Sequence, residues 1–284
     1  LMSTRMKKLL IYGYGYTASY LAETLNTENY LIIGSSREEK KFNSDNKKVK
    51  FINNSQVNNC LLKDDITHIL VSVPPNDLGD IFIQNYRDII TKNKNIEWIG
   101  YLSATNVYGD HNGKLVSESS QTKPKTKKGI NRLVAEKQWL ELISKFNLPI
   151  KIFRLAGIYG PNRNIKERLI KGLVKNIFKE GQFFSRIHVE DIANILNLSM
   201  NNITKNKIYN LADDFSCNLN VIIEYLCEKN SLIKPAQIDF DDMSLDYKKE
   251  SFFLENKRVD NSLVKKDLLK NFKYPSFKEG YKNL

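Results

Sequence analysis

Apolar positions along this chain fall into short runs separated by longer stretches with helical spacing. The runs at residues 9–12, 30–34, 49–52, 68–73, 96–102 and 150–155 read as strands. Between them, residues 17–27, 57–62, 78–93 and 129–146 carry apolar side chains at helical intervals. Strand–helix alternation implies right-handed crossovers. The expected fold is therefore α/β, with a doubly wound parallel sheet and helices on both faces. After residue 155 the pattern changes. Helical stretches at 165–178, 190–200 and 218–229 are separated by short apolar pieces such as 207–211. This predicts a nucleotide-binding core over 6–160 and a mainly C-terminal, smaller lobe over 161–284, folded over the strand ends and interleaved with the core.

The first strand meets the first helix in Gly13-Tyr14-Gly15-Tyr16-Thr17-Ala18. That is the layout of a dinucleotide-binding βαβ unit. Gly13 permits the sharp turn, and Gly15 leaves room for a pyrophosphate to approach the backbone. Ala18 stands where a third small residue allows close strand–helix packing. The helix start offers its N–H groups to phosphate. A plain βα turn is the alternative; the strand before and the helix after favour the nucleotide site.

The tip of the second strand discriminates between the two nicotinamide dinucleotides. A carboxylate there bonds the ribose hydroxyls of NAD and repels the 2′-phosphate of NADP. Here the strand runs into Ser35-Ser36-Arg37, and Glu38 and Glu39 follow only after the arginine. Two hydroxyls and a guanidinium suit a phosphate dianion, so NADP is favoured over NAD.

Length and composition narrow the picture. With 284 residues, 41% of them apolar, the chain can bury a full core. No run approaches the ~18 apolar residues needed to cross a membrane, and there is no apolar export-signal core. Residues 1–5 read as an extension without structure ahead of Met6, a candidate start. Cys60, Cys217 and Cys227 show no metal-ligand spacing and read as thiols in a reducing, cytoplasmic compartment. Net charge is +12, but the cations are scattered and no aromatic-interleaved basic motif exists, which disfavours nucleic acid as a partner. A small-molecule substrate is expected, and no metal site.

Four further segments carry a resemblance. They are Tyr101-Leu102-Ser103-Ala104-Thr105-Asn106-Val107-Tyr108, Gly129 to Leu140 with Glu136, Phe153-Arg154-Leu155-Ala156-Gly157, and Arg186-Ile187-His188-Val189-Glu190-Asp191. With the glycine turn, Pro74 after the fourth strand and Ile208-Tyr209-Asn210-Leu211, they resemble the extended short-chain dehydrogenase/reductase superfamily, epimerase/dehydratase type. Within it the chain is most similar to the atypical YeeZ-like group. The resemblance runs from about Met6 onward. It implies a Rossmann-type core, a C-terminal substrate lobe, a nicotinamide cofactor contacted also at Pro74, and a homodimer built on helices 78–93 and 129–146. It further implies a Tyr-x-x-x-Lys helix and a Ser or Thr after the fifth strand, with the tyrosine handling the proton of hydride transfer.

The chain departs from that pattern. Counting back from Glu136, the tyrosine position holds Lys128 and the lysine position Arg132. The Ser/Thr position holds Ala104. Ser103 and Thr105 each stand one residue off register, on the opposite face of a strand. Candidate catalytic residues are Tyr108, Arg132, Ser103 and Thr105, with Tyr159 a further phenol in a loop beyond a strand end. Arg132 reads as a ribose or phosphate contact, and His188 as a structural hinge histidine. Two functional readings follow. One is an NADP-dependent oxidoreductase or epimerase acting on a small carbonyl or nucleotide sugar. The other is a cofactor-binding sensor or regulator without hydride chemistry.

Overall fold

The computed structural model describes residues 5–37, 48–63, 65–250 and 252–284. Residues 1–4 of the leading extension, and Glu38 and Glu39, lie outside the described residues. In chain order the elements are β1 (Lys7–Tyr12), α1 (Tyr16–Thr24), β2 (Tyr30–Ser36), β3 (Val49–Asn53), α2 (Val57–Lys63), β4 (His68–Val71), α3 (Ile81–Lys92) and β5 (Trp98–Ala104). Then follow β6 (Leu115–Val116), α4 (Lys127–Phe146), β7 (Ile150–Leu155), β8 (Gly157–Tyr159), α5 (Ile165–Ile170), β9 (Asn176–Phe178), β10 (Arg186–His188), α6 (Val189–Asn201) and β11 (Ile208–Leu211). The chain closes with α7 (Leu219–Asn230), β12 (Gln237–Asp239), α8 (Leu245–Glu250), β13 (Arg258–Val259), α9 (Ser262–Asp267) and α10 (Phe277–Gly280).

A seven-stranded parallel sheet has the order β11-β7-β5-β4-β1-β2-β3. Its central strands are buried along their length, as the unbroken runs Leu9–Tyr12 and His68–Val71 require of a sheet covered on both faces. From β1 the chain winds outward through β2 to β3; from β4 it winds the other way. The reversal between β1 and β4 is the switch point at which open α/β sheets bind ligands. The fold is thus the Rossmann-type doubly wound sheet.

The chain divides into two compact units. The first comprises Leu1–Ala104, Ile130–Arg154 and Ile192–Tyr209; the second comprises Thr105–Gly129, Leu155–Asp191 and Asn210–Leu284. In the second, three short parallel pairs form, β8 with β10, β9 with β12 and β6 with β13, and a core gathers Tyr159 of β8, Ile222, Ile223 and Leu226 of α7, and Phe277 and Tyr281 at α10. Among the described residues no helix is long and apolar enough to cross a membrane. Cys60, Cys217 and Cys227 are buried and form no disulfide among the described residues.

Three expectations from the sequence change. The helix expected over 165–178 stops at Ile170. Gly172, at φ +66°, donates its N–H to the Leu169 carbonyl, and Leu173 donates to Arg168. This left-handed cap closes the helix and frees Asn176–Phe178 to become β9. The piece at 207–211 belongs to the sheet rather than to a lobe: Ile152 N–H donates to the Lys207 carbonyl at 2.8 Å, seating β11 beside β7. The helix expected from 78 starts at Ile81, because Asp80 accepts the Ile83 N–H and caps it.

One buried cluster locks α4 onto the sheet. Glu136 of α4 receives the Ser103 hydroxyl from β5 at 2.5 Å and the Arg154 guanidinium from β7 at 2.7 Å. Both charged groups are almost wholly buried. Removing one charge from such a pair strands the other. We therefore expect Glu136→Gln to lose about 3 kcal/mol or more in urea unfolding. An unchanged unfolding free energy would refute the locking role.

Candidate dinucleotide-binding site

The glycine turn leaves the end of β1 at the sheet's switch point. Gly13 has φ +92°, and a Cβ there would lie 2.6 Å from Val73 Cγ2. Only glycine fits that turn. Gly15 differs: a Cβ would meet nothing within 4 Å, so the space above it is open. It starts α1 without a side-chain cap, and the first helical bond runs from Ser19 N–H to the Gly15 carbonyl. A helix start of this kind turns its leading amides outward, toward an anion. Thr17 and Ala18 are buried beneath it. Tyr16 packs beside Tyr20, with ring centroids 5.2 Å apart. The Tyr14 ring is buried edge-on to Phe51, and its N–H donates to the Ser35 carbonyl at 2.9 Å. That bond ties the glycine turn to the tip of β2.

At this tip Ser35 is fully buried, and its Oγ has no hydrogen-bond partner among the described residues. Ser36 is buried beside it, whereas Arg37 is exposed and forms no ion pair with a described carboxylate. Pro74, exposed after β4, adjoins the Val73 that faces Gly13. An open glycine cradle and an orphaned hydroxyl at the neighbouring strand tip fit a dinucleotide.

The candidates for chemistry divide between the two units. In the first unit, Arg132 donates to the Leu102 carbonyl at 2.7 Å and to the Tyr101 hydroxyl at 3.3 Å, while its Nε is buried without a partner. Its charge is permanent, so it holds groups and moves no proton. The Ser103 hydroxyl is committed to Glu136. In the second unit, Thr105 opens a single 3-10 turn that ends at Tyr108. Tyr108 is fully buried and donates to Asn210 Oδ1 at 2.6 Å. Burial holds the Tyr159 phenol far above its ordinary value, and its ring packs on Tyr281 and His188. Lys128 is exposed. Burial pushes His188 down to about 4, and its Nδ1 accepts the Glu190 N–H; it is a neutral packing residue.

Two buried carboxyls escaped the sequence reading. In the first unit, burial pushes Asp80 up to about 6, against hydrogen bonds from the Ile83 N–H and the Trp139 side chain. In the second, Asp213 is pushed up to about 8, also chiefly by burial, and its Oδ2 has no hydrogen-bond partner among the described residues. An N-cap signal at Asp80, one residue before an apolar helical pattern, stands in the sequence. Nothing local marks Asp213, whose burial depends on distant segments.

Because its phenol is engaged inside the second unit, Tyr108→Phe is expected to cost about 1 kcal/mol in chemical denaturation and to leave dinucleotide affinity unchanged. A clear loss of affinity with stability intact would return Tyr108 to the ligand site.

A family model described as NAD dependent epimerase/dehydratase family matches residues 88–212. A functionally unknown conserved protein from Silicibacter pomeroyi DSS is 37% identical over 97% of this chain and 96% of its own, with a TM-score of 0.88. UDP-glucuronic acid 4-epimerase from Bacillus cereus, in complex with NAD, is 19% identical over 96% and 95%, with a TM-score of 0.72. The dTDP-glucose 4,6-dehydratase from Bacillus anthracis str. Ames, in complex with NAD, is 16% identical over 96% and 94%, with a TM-score of 0.75. No curated protein matches the chain at a significant level. Family match and fold agree: residues 88–212 belong to the NAD dependent epimerase/dehydratase family, and the chain as a whole shares the fold of the epimerase and dehydratase structures it resembles.

Proposed function

We propose that the protein binds NADP in its first unit and is an oxidoreductase or epimerase acting on a small carbonyl or nucleotide-sugar substrate. The observation that carries the cofactor choice is the β2 tip. Ser35 holds an unpartnered buried hydroxyl, Ser36 and Arg37 follow, and no carboxylate stands on the strand. A 2′-phosphate would find hydroxyl and guanidinium donors there, where NAD specificity asks for an acceptor. The pyrophosphate would lie over Gly15 and the start of α1. Arg132, at the end of β5, would contact the nicotinamide ribose. When bound, the cofactor supplies hydride transfer; these residues bind and orient it. The UDP-glucuronic acid 4-epimerase and dTDP-glucose 4,6-dehydratase that share this fold support the substrate class.

A second reading is cofactor binding without turnover, as in a redox sensor. It is favoured by Ser103, whose hydroxyl is committed to Glu136, and by Arg132, which stands where a proton-relaying lysine is expected. NADPH oxidation across a carbonyl and nucleotide-sugar panel separates the two: turnover selects the enzyme, and binding without turnover selects the sensor.

Arg37→Ala is expected to weaken NADPH binding about tenfold, or ~1.4 kcal/mol, and to leave NADH binding as it was. Equal affinities of the wild type for NADPH and NADH would overturn the NADP assignment.

A further inference from the structure

In the second unit β10 lies beside β8 in parallel register, with Arg186 opposite Gly157 and His188 opposite Tyr159. Gly157 is exposed, and a Cβ there would meet only the Ser185 carbonyl at 3.3 Å and Arg186 Cγ at 3.8 Å. The residue facing Arg186 across the pair therefore puts no side chain over it. The guanidinium is held at one nitrogen. Its Nη1 donates to the Phe184 carbonyl at 3.1 Å and to the Cys217 carbonyl at 3.4 Å, and lies 3.7 Å from Cys217 Sγ. Those two carbonyls belong to one antiparallel bridge, in which Phe184 and Cys217 exchange backbone bonds of 3.0 and 3.2 Å. The Phe184 ring centroid lies 5.9 Å from the guanidinium carbon. Paired backbone thus fixes Nη1, and the orientation of the guanidinium with it.

The opposite edge of the guanidinium is open. Nε and Nη2 carry parallel N–H bonds there. Among the described residues neither donates to a protein group, and no carboxylate forms an ion pair with Arg186. Arg186 is only partly buried, so this edge stays within reach of a ligand. Asp213 stands close along the backbone, its N–H donating to the Arg186 carbonyl at 2.7 Å. Its carboxyl is used otherwise: Oδ1 accepts the Phe215 N–H at 3.0 Å. An arginine that only supported the fold would close its bidentate edge on a carboxylate or carbonyl; this one is oriented in advance and leaves that edge unused.

The surrounding charges select the anion. Lys265 is matched by Asp214, and Lys273 by Glu190. Asp191 is buried, and its two oxygens accept the Lys273 and Tyr274 N–H groups. Arg186 is left as a single unmatched cation in the company of Asp191 and Asp213. A planar monoanion suits that setting, with one oxygen on Nε–H and the other on Nη2–H. A phosphate dianion or a diphosphate brings further charge that no unmatched cation meets, beside two carboxyl groups.

We propose that Arg186 is the binding residue for a carboxylate, and that the second unit takes a small carboxylated ligand on Nε and Nη2, in the space that Gly157 leaves open. The proposal rests on the proposed function only in taking that ligand for the substrate. On that reading it narrows the small carbonyl compounds to those bearing a carboxylate, such as an α-keto acid or a uronic acid. The binding itself is independent of the cofactor, which the first unit would hold.

The test follows the arginine Nε–Hε resonances of isotope-labelled protein by NMR at about pH 7.5, where a phosphate is mainly a dianion. Pyruvate, its neutral methyl ester and inorganic phosphate are titrated separately. The Arg186 signal is the one missing from Arg186→Lys. Pyruvate is expected to shift it saturably, and methyl pyruvate to leave it in place. Inorganic phosphate should bind at least about threefold more weakly than pyruvate. Arg186→Lys keeps the charge and loses the fork, so calorimetry should show about tenfold weaker pyruvate binding. Urea unfolding checks that this variant is folded; if it is not, calorimetry of pyruvate against methyl pyruvate on the wild type decides. No binding of pyruvate, equal binding of the methyl ester, phosphate binding as tight as pyruvate, or a folded Arg186→Lys that binds like wild type overturns the proposal. None of these touches the cofactor reading. Failure of NADP+ to bind in a parallel titration overturns the cofactor reading and leaves the carboxylate site standing.

Discussion

Glu136 is buried among apolar side chains, so its two oxygens must be satisfied by groups from the strands beneath it. Ser103 of β5 and Arg154 of β7 do this. The consequence reaches beyond one ion pair. Fixing Glu136 fixes the rotation of α4 about its axis. Arg132, one turn earlier, then lies at the end of β5, and Gln138, half a turn later, meets the turn before α3. A single desolvated carboxylate thereby sets the placement of several polar groups around the ends of β4 and β5.

The same arrangement commits the Ser103 hydroxyl, beside the expected catalytic position, to Glu136. Ser103 points inward to the ion pair, as its register on β5 requires. Ala104, the next residue, carries no hydroxyl. Tyr108 is closed off by Asn210 within the second unit. What the first unit keeps is Gly13, Gly15, the start of α1 and the Ser35–Arg37 tip, the groups proposed above to hold the dinucleotide.

The legible parts of the sequence were those governed by local rules. β7 matches its apolar run to the residue. Strands β1 to β3 and α1 lie within a few residues of their patterns. The glycine turn was readable because Gly13 answers a backbone demand. Other features depend on segments far apart in the chain. Ser103 needs Arg154 and Glu136 to define its role, and Tyr108 needs Asn210. Gly172 did hold a local signal, since a glycine after a lysine-rich turn can close a helix, but the apolar pattern running on to Phe178 masked it. The piece at 208–211 was too short to reveal its sheet.

Gly13 and Gly15 look alike in the sequence yet answer to different constraints. Gly13 is held by the fold, because any side chain would strike Val73 from an unfavourable backbone angle. Gly15 has an ordinary extended backbone and empty space where a Cβ would go. The folded chain alone would tolerate an alanine there. On the proposed function, that open space is where a dinucleotide pyrophosphate would approach the backbone.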